Sequence, residues 1–218
     1  MLFAAGFGTR MGDLTRTRPK PLIPVAGRAL LDHALDIARG VAPRRIVVNT
    51  HYLNDQIAAH LAGTDVVLSP EQPDILETGG GLRHALPLLG EGPVFTLNTD
   101  YAWRGPNPLA LLAAAWQPEM EALLLCLPVA RATGYTGAGD FTADVPARRG
   151  LGRVYTGAQI VTTDGLAAIP DRVFSLNRLW QGMLDRGTLH LLDYPGQWCD
   201  VGRPEGIALA EQMLARDV

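Results

Sequence analysis

The sequence has few of the residue types that carry zinc or serine hydrolase chemistry. Its two cysteines, Cys126 and Cys199, are far apart and form no CxxC motif, so we expect reduced thiols and no disulfide framework. The five histidines show neither HxxxH nor HExxH spacing, which disfavours a zinc site. The two serines, Ser69 and Ser175, lie outside any GxSxG motif, which disfavours a serine hydrolase.

Signals for export, membrane insertion and nucleic-acid binding are also absent from the sequence. No apolar run approaches the roughly 20 residues of a membrane span. The N-terminal segment has neither the basic region nor the long apolar core of a signal peptide. A net charge of −3 gives no global attraction to nucleic acid or to anionic lipid. We therefore expect a cytoplasmic protein that binds neither.

Lysine is nearly absent, because Lys20 stands alone beside eighteen arginines. If arginine replaces lysine wherever either cation serves, a retained lysine marks a position that needs a compact ammonium. Chance is the alternative, since some position must hold the last lysine. The place of Lys20 between Pro19 and Pro21, in a cationic segment, favours a role in phosphate binding.

That cationic segment, residues 1–21, is the most informative part of the sequence. Residues 1–5 form an apolar run that predicts a buried strand; either this strand is short or the natural chain has further residues before it. Gly6 and Gly8 follow directly, and backbone N–H groups in such a turn can converge on an anion. The segment contains one acid, Asp13, and four cations: Arg10, Arg16, Arg18 and Lys20. It predicts a seat for phosphates.

Strand and helix patterns alternate along the chain and predict an α/β fold. We expect a Rossmann-like, three-layer αβα sandwich with a mixed, mostly parallel central sheet. The predicted strands are residues 1–5, 45–50, 65–68, 93–98 and 122–129. The predicted helices are residues 29–39, 54–61 with Asn54 as the cap, 79–89, 109–116, 174–186 and 204–214.

The second half of the sequence differs from the first. It contains short strand-like pieces at 140–145 and 151–155, and apolar runs at 189–192 and 197–201 that suggest a final hairpin. We expect one domain, residues 1–218, whose half at about 1–105 holds one ligand. The other half, about 106–218, folds over to hold a second ligand.

Two carboxylates stand at the ends of predicted strands. Asp100 follows the apolar strand 93–98, at the edge where ligands bind in such sheets, and Asp200 lies in a similar place, after residues 197–199 of the last apolar run. An aspartate that caps a turn is the alternative for either position. Because Mg²⁺ prefers one or two carboxylates together with waters and substrate phosphates, this pair suits Mg²⁺.

A third constellation lies at residues 75–81. Three glycines at a helix start, Gly79, Gly80 and Gly81, allow a flat ligand to approach the backbone, and Thr78 could read a base edge. A flexible helix cap is the alternative. Other nucleotide motifs fail, since the GxGxxxG of the first loop is one residue off the dinucleotide fingerprint and no GxxxxGK[ST] occurs. The second strand also ends without the acid that a nicotinamide site needs.

These motifs together resemble the sugar-phosphate nucleotidyltransferases, or NDP-sugar pyrophosphorylases. That family has the outline signature AAGxGTRMxPLTxxxPKPLxxVxGxP, and this chain reads AAGFGTRMGDLT from residue 4, RPKPL from residue 18 and VAGR from residue 25. The NGD of the metal strand appears as NTD at residues 98–100. Within the family, LETGGG at 76–81, GDF at 139–141 and WCDVG at 198–202 are similar to the N-acetylmuramate-1-phosphate uridylyltransferases of cell-wall recycling.

The resemblance implies a reaction and the residues that carry it out. A sugar 1-phosphate oxygen attacks the α-phosphorus of an NTP, with UTP favoured, and pyrophosphate leaves. Lys20 and Arg10 would be catalytic, and Asp100 and Asp200 would hold Mg²⁺. The implied nucleotide-binding residues are Ala5, Gly6, Gly8, Thr9, Arg10, Thr78 and Gly79. The implied sugar-binding residues are Asn98, Gly139 and Asp140.

The sequence departs from the family pattern in one respect that affects the sugar. Many relatives hold the sugar phosphate with a second lysine beyond the Asp140 region, so here Arg148, Arg149 or Arg153 would substitute. Guanylylation of mannose 1-phosphate, another transfer to glucose 1-phosphate, and a silent nucleotide-sugar-binding regulator remain alternatives. Monomer and dimer both remain open.

Overall fold

The computed structural model describes residues 1–215, and twelve strands and six α-helices lie within that range. The strands are β1 (Leu2–Phe3), β2 (Pro24–Val25), β3 (Arg28–Ala29), β4 (Val47–Thr50), β5 (Val67–Pro70), β6 (Val94–Asn98), β7 (Tyr101–Arg104), β8 (Ala122–Pro128), β9 (Ala132–Thr133), β10 (Arg153–Val161), β11 (Leu189–Asp193) and β12 (Gln197–Asp200). The helices are α1 (Leu30–Arg39), α2 (Asn54–His60), α3 (Glu77–Leu89), α4 (Pro108–Ala115), α5 (Asn177–Arg186) and α6 (Pro204–Ala215). Residues 216–218, which the predicted second half includes, lie outside the described residues.

Seven strands form the central sheet, in the order β11-β8-β10-β6-β1-β4-β5. Six of them run in the same direction, and β10 is antiparallel to both of its neighbours, β6 and β8. The prediction of a mixed, mostly parallel sheet is confirmed. A smaller sheet, β7-β12-β9, and the β2-β3 pair lie beside it.

Helices cover both faces of the central sheet, which explains why β8 reads as an unbroken apolar run. Leu123, Leu125 and Leu127 point into the core that α1, α2 and α4 complete. Leu124 and Cys126 point into the opposite core, with α3 and α5. The predicted three-layer αβα sandwich is therefore confirmed. None of the helices within residues 1–215 is both long enough and apolar enough to span a membrane.

Several predicted helices match the structure, and three helix starts are corrected. The helices predicted at 29–39 and 204–214 occur as α1 and α6. Helix α3 begins at Glu77, two residues before the predicted start. Helix α5 begins at Asn177, three residues after the predicted start at residue 174. Asn54 is not a cap: Leu53 occupies the cap position in a left-handed conformation, and the Asn54 Oδ1 accepts a hydrogen bond from the Thr50 hydroxyl.

The predicted C-terminal hairpin is wrong. Strand β11 pairs in parallel with β8 at the edge of the central sheet, whereas β12 lies in the small sheet between β7 and β9. The strand-like pieces in the second half also differ. Phe141 forms only isolated bridges with Arg149 and Arg153, and the nine-residue strand β10 begins at Arg153.

Candidate active site

The glycine loop after β1 closes tightly on itself. Gly8 adopts the left-handed conformation (φ 66°), and the chain then forms a 3₁₀ segment over Thr9–Thr15. The Thr15 hydroxyl donates to the carbonyls of Gly8 at 3.0 Å and Gly12 at 3.2 Å. The loop is therefore fixed by its own side chains and carbonyls, with its exposed glycine, Gly6, facing open space.

Lys20 is held beneath this loop with only 8% of its surface exposed. A Cβ atom on Gly8 would lie 2.9 Å from the Lys20 Cβ, so a side chain at Gly8 and the present position of Lys20 are incompatible. The Lys20 Nζ donates to the Asp100 Oδ2 at 2.7 Å. Lys20 and Asp100 are 80 positions apart in the sequence, and the fold brings them into contact.

Asp100 and Asp200 also meet in the structure. The backbone N–H of Val201 donates to the carbonyl of Asp100 at 3.0 Å, which ties the end of β12 to the turn after β6. A Cβ atom on Gly202 would lie 2.7 Å from the Asp200 Oδ1 and 3.3 Å from the Arg10 Nη2, so both groups flank Gly202. One acidic pair and two cations therefore lie close together in the structure.

Asp200 forms no ion pair among residues 1–215, and its surroundings favour the protonated carboxyl. Burial raises its pKa, and the negative charge of Asp100 raises the pKa further, against smaller opposing effects of Lys20, the Gly202 N–H and Arg10. Its Oδ1 is buried and has no hydrogen-bond partner among residues 1–215. A buried carboxylate oxygen without a partner is costly, and a cation would relieve that cost.

The residues present fit a magnesium ion. Asp100 and Asp200 supply two carboxylates, and the Asp200 Oδ1 has no hydrogen-bond partner; Mg²⁺ completes such a set with waters and substrate phosphates. Within residues 1–215, no group of three or more His, Cys, Asp or Glu side chains could hold a metal ion alone. The donor set is therefore that of a metal bound jointly by protein and substrate, which remains a prediction for this chain.

A cavity of about 280 Å³ opens at the carboxyl ends of β1, β4 and β6. The predicted site residues that line it are Ala5, Gly6, Gly8, Thr9, Arg10, Lys20, Thr78, Asn98 and Asp100. We call it the first cavity. The glycine loop, the lysine and one of the two carboxylates thus share one space.

A second cavity, of about 190 Å³, adjoins the first, and Phe3, Thr78 and Asn98 line both. Its other lining residues are Asp140, Arg149, Tyr155, Ser175, Leu176, Asn177 and Trp180. The Asp140 Oδ2 accepts the backbone N–H of Tyr155 at 2.9 Å, which fixes this carboxylate at the cavity wall. The Thr78 hydroxyl accepts the Leu176 N–H at 3.0 Å between the two spaces.

Some predicted residues line neither cavity. Gly79 is buried, its N–H donates to the Phe174 carbonyl at 2.9 Å, and a Cβ atom there would overlap the Phe174 ring. Gly139, with φ 115°, turns the chain against the start of β10. Arg148 is also outside both cavities, and Arg153 forms an ion pair with Asp193. The predicted ligand contacts of Gly79 and Gly139 stay predictions.

The cavities also contain residues that the sequence analysis missed. Asn49 donates to the buried Glu71 carboxylate at 2.6 Å, and both line the first cavity. The position of Asn49 at the carboxyl end of a parallel strand could have indicated it. Trp180 and Asn177 of α5 line the second cavity. They carry no such signal, since a tryptophan at helical spacing usually indicates only a core position.

Comparison with known proteins gives the family. A model of the MobA-like NTP transferase domain matches residues 1–135. The N-acetylmuramate alpha-1-phosphate uridylyltransferase of Caulobacter vibrioides is 40% identical over 232 residues, covering 99% of this chain and 96% of the relative. The enzyme of the same name from Neisseria meningitidis serogroup B is 32% identical over 216 residues, covering 93% and 92%.

The solved structures agree on the fold. A Bacillus anthracis crystal structure assigned as a glucose-1-phosphate thymidylyltransferase, in complex with sucrose, superposes with a TM-score of 0.81 at 16% identity, covering 100% of this chain and 94% of that one. At this identity the likeness bears on fold alone. The predicted family and enzyme class are confirmed by the sequence relatives. The chain belongs to the sugar-phosphate nucleotidyltransferases and contains a MobA-like NTP transferase domain.

Proposed function

We propose that this protein joins UTP to N-acetylmuramic acid 1-phosphate, giving the UDP-sugar and pyrophosphate. The observation that carries the proposal is the convergence of Lys20, Asp100 and Asp200 beside two adjoining cavities. Two substrates must meet at one phosphoryl group, and this arrangement offers one cavity to each substrate with the charged groups nearby. The two uridylyltransferase relatives, similar over nearly the whole chain, support the choice of substrates.

In the proposed arrangement the nucleotide occupies the first cavity. The backbone of residues 5–9 faces its phosphates, and Arg10 and Lys20 supply positive charge near the reacting α-phosphoryl group. Catalysis of phosphoryl transfer comes mainly from positioning and charge stabilisation, so these residues need no covalent chemistry. Thr78, on the border of both cavities, would contact the base or the sugar.

The sugar occupies the second cavity in this arrangement. Asp140, fixed by the Tyr155 N–H, accepts a hydrogen bond from a sugar hydroxyl or acetamido group. Asn98 lines both cavities and would orient the sugar 1-phosphate oxygen toward the α-phosphorus. That oxygen forms the new bond to phosphorus while the bond to pyrophosphate breaks.

Asp100 and Asp200 would hold Mg²⁺, which supplies charge neutralisation to the phosphates when it is bound. Before that, Lys20 partly neutralises Asp100. In the cell we place the reaction in the cytoplasm, where UTP is available and where the two buried, unpaired thiols of Cys126 and Cys199 are stable. The reaction would return an amino sugar recovered from the cell wall to nucleotide-activated form.

The test is pyrophosphate release by the purified protein with Mg²⁺, using each of four NTPs against a panel of sugar 1-phosphates. Release with UTP and N-acetylmuramic acid 1-phosphate, lost on chelation and restored by added Mg²⁺, is the expected result. Release with GTP and mannose 1-phosphate, or with glucose 1-phosphate, would keep the mechanism and replace the substrates. Nucleotide binding without pyrophosphate release from any pair would favour a silent regulator.

A further inference from the structure

One cation of the second cavity has no anionic partner. The guanidinium of Arg149 lies 4.6 Å from the Phe141 ring centroid and 5.4 Å from that of Trp180, and its Nη2 donates to the Asn177 Oδ1 at 2.6 Å. Among residues 1–215, no carboxylate forms an ion pair with it. Stacking on aromatic rings and one amide contact fix the guanidinium plane and leave most of its N–H donors free.

The electrostatic setting of Arg149 suits an incoming anion. Partial burial against the rings lowers its pKa, and the nearby charge of Asp140 opposes that effect. An arginine keeps its charge under such a shift. Asp140 is the nearby acid, but it forms no ion pair with Arg149, and its Oδ2 accepts the Tyr155 N–H instead. A planar guanidinium with free donors matches a carboxylate in bidentate geometry.

The position of Arg149 indicates which anionic group of the substrate it can bind, the 1-phosphate or a carboxylate. The sugar 1-phosphate must reach the first cavity, because Lys20 and Asp100 lie there, and Arg149 lines only the second. Arg149 therefore faces the part of the sugar away from the transferred phosphate. N-acetylmuramic acid differs from N-acetylglucosamine by a lactyl ether on O3, which adds a carboxylate on that part of the ring.

We infer that Arg149 is the specificity-determining residue of this enzyme, and that it binds the lactyl carboxylate of the sugar rather than the sugar phosphate. The inference rests on the proposed function. Contacts with the Phe141 and Trp180 rings, together with the hydrogen bond to Asn177, orient the guanidinium. A sugar 1-phosphate without the carboxylate cannot pair with Arg149, so Arg149 adds nothing to the binding of that sugar.

The test compares N-acetylmuramic acid 1-phosphate with N-acetylglucosamine 1-phosphate in the wild type and in Arg149→Gln. We expect kcat/KM for the muramic substrate to fall about 30- to 100-fold, the scale for losing hydrogen bonds to a charged group. For N-acetylglucosamine 1-phosphate we expect less than about a threefold change, measured as an inhibition constant where turnover is too slow. Arg149→Lys, which keeps the charge but loses the fork, should fall between these.

A change on the substrate side checks the same contact without depending on a folded variant. Converting the lactyl carboxylate to a primary amide should lower kcat/KM of the wild type by a similar factor. The same conversion should leave kcat/KM of Arg149→Gln unchanged. Arg148→Gln, the neighbouring arginine outside both cavities, is the control and should behave as the wild type. Thermal unfolding verifies that each variant is folded.

Other outcomes overturn the inference in distinct ways. An equal loss for both sugars in Arg149→Gln would assign this residue to the phosphate or to the fold. Unchanged kinetics with both sugars would remove Arg149 from sugar recognition. A wild type that releases pyrophosphate only with some other pair of substrates would overturn the proposed function, and this inference with it.

Discussion

The ammonium of Lys20 lies 2.7 Å from the Asp100 carboxylate, although 80 residues separate the two in the chain. Their side chains are only 10% and 25% exposed, so the pair is shielded from the screening that weakens surface ion pairs. The contact holds Lys20, the one lysine in the sequence, at the carboxyl edge of the sheet beside the first cavity. Lys20 is thus positioned in advance for the negative charge of the reacting phosphates.

Replacing Lys20 should therefore damage turnover. We expect Lys20→Ala to lower kcat about 100-fold or more, the scale for losing one preorganised charge contact. Lys20→Arg should rescue little of that loss, because a planar guanidinium does not reproduce the compact ammonium that donates to the Asp100 carboxylate. Pyrophosphate release provides the measurement. Arg16→Ala, an exposed cation of the same loop, is the matched control; a Lys20→Ala enzyme as active as that control would remove Lys20 from catalysis.

Asp200 should oppose stability in the free protein while supporting activity. Because its folded-state pKa is raised above the ordinary value of 3.8, the folded protein favours the protonated carboxyl and is destabilised when Asp200 ionises. Asp200→Asn should therefore unfold at a higher temperature than the wild type at pH 7 without Mg²⁺. A gain of about 1 kcal/mol corresponds to about 2–4 °C in a chain of this size.

The pH dependence gives the sign of this effect. As pH falls through the raised pKa toward 3.8, the wild-type carboxyl protonates and the advantage of Asp200→Asn should shrink toward zero. The same variant should lose Mg²⁺-dependent pyrophosphate release at pH 7. Melting curves over a pH series measure the first effect. A variant less stable than the wild type at neutral pH would show that Asp200 has a structural role instead.

Gly8 and Gly6 should respond differently to the same small substitution. Gly8→Ala places a methyl in the left-handed region and within 2.9 Å of both Lys20 and Thr15, so we expect about 2 kcal/mol of destabilisation and reduced kcat. Gly6→Ala meets nothing within 4 Å of the protein and should leave the melting temperature unchanged. Because Gly6 lines the first cavity, its added methyl should instead raise KM for the nucleotide. Equal melting temperatures for the two variants would contradict the prediction.

A buried chain of hydrogen bonds supports the wall of the second cavity. The Trp180 indole donates to the Gln159 Oε1, and the Gln159 Nε2 donates to the Thr96 hydroxyl, each at 2.9 Å. Gln159→Leu should cost about 1–3 kcal/mol, because it leaves the indole N–H unpaired, and should raise KM for the sugar more than KM for UTP. Gln181→Leu is the control, because this exposed residue lies on α5, the helix that carries Trp180. It should alter neither the stability nor KM for the sugar. Steady-state kinetics and thermal unfolding together distinguish a local effect from a general one.

The sequence allowed the architecture and the charged centre to be predicted for identifiable reasons. Strand–helix alternation indicates a parallel sheet, and the carboxyl ends of its strands lie along one edge, which brings Asp100 to the glycine loop. Lys20 was identifiable through composition, because it is the one lysine in the sequence. Contacts between specific residues, such as Lys20 with Asp100, could not be predicted, because they join residues far apart in the sequence.

Strand β10 and the final hairpin show where the sequence pattern was insufficient. Gly157 adopts φ 84° within β10, and the pairing with β8 shifts between Tyr155 and Gln159, so the alternation expected of a strand is interrupted. Two apolar runs separated by a short turn suggested a hairpin. Strand β11 instead pairs with β8, more than 60 residues earlier, a long-range choice that local spacing does not encode.

The position of β10 between β6 and β8 determines when the central sheet can form during synthesis. The region that matches the family model ends at residue 135, before β10 begins at Arg153. During synthesis, β6 and β8 therefore leave the ribosome with their facing edges unpaired, and unpaired edges invite association with other chains. Strand β10, which fills the gap between β6 and β8, is made after both of them, and the edge strand β11 follows later still. A fragment that stops at the family boundary should be prone to aggregate, and the emerging chain gains a complete sheet only near the end of translation.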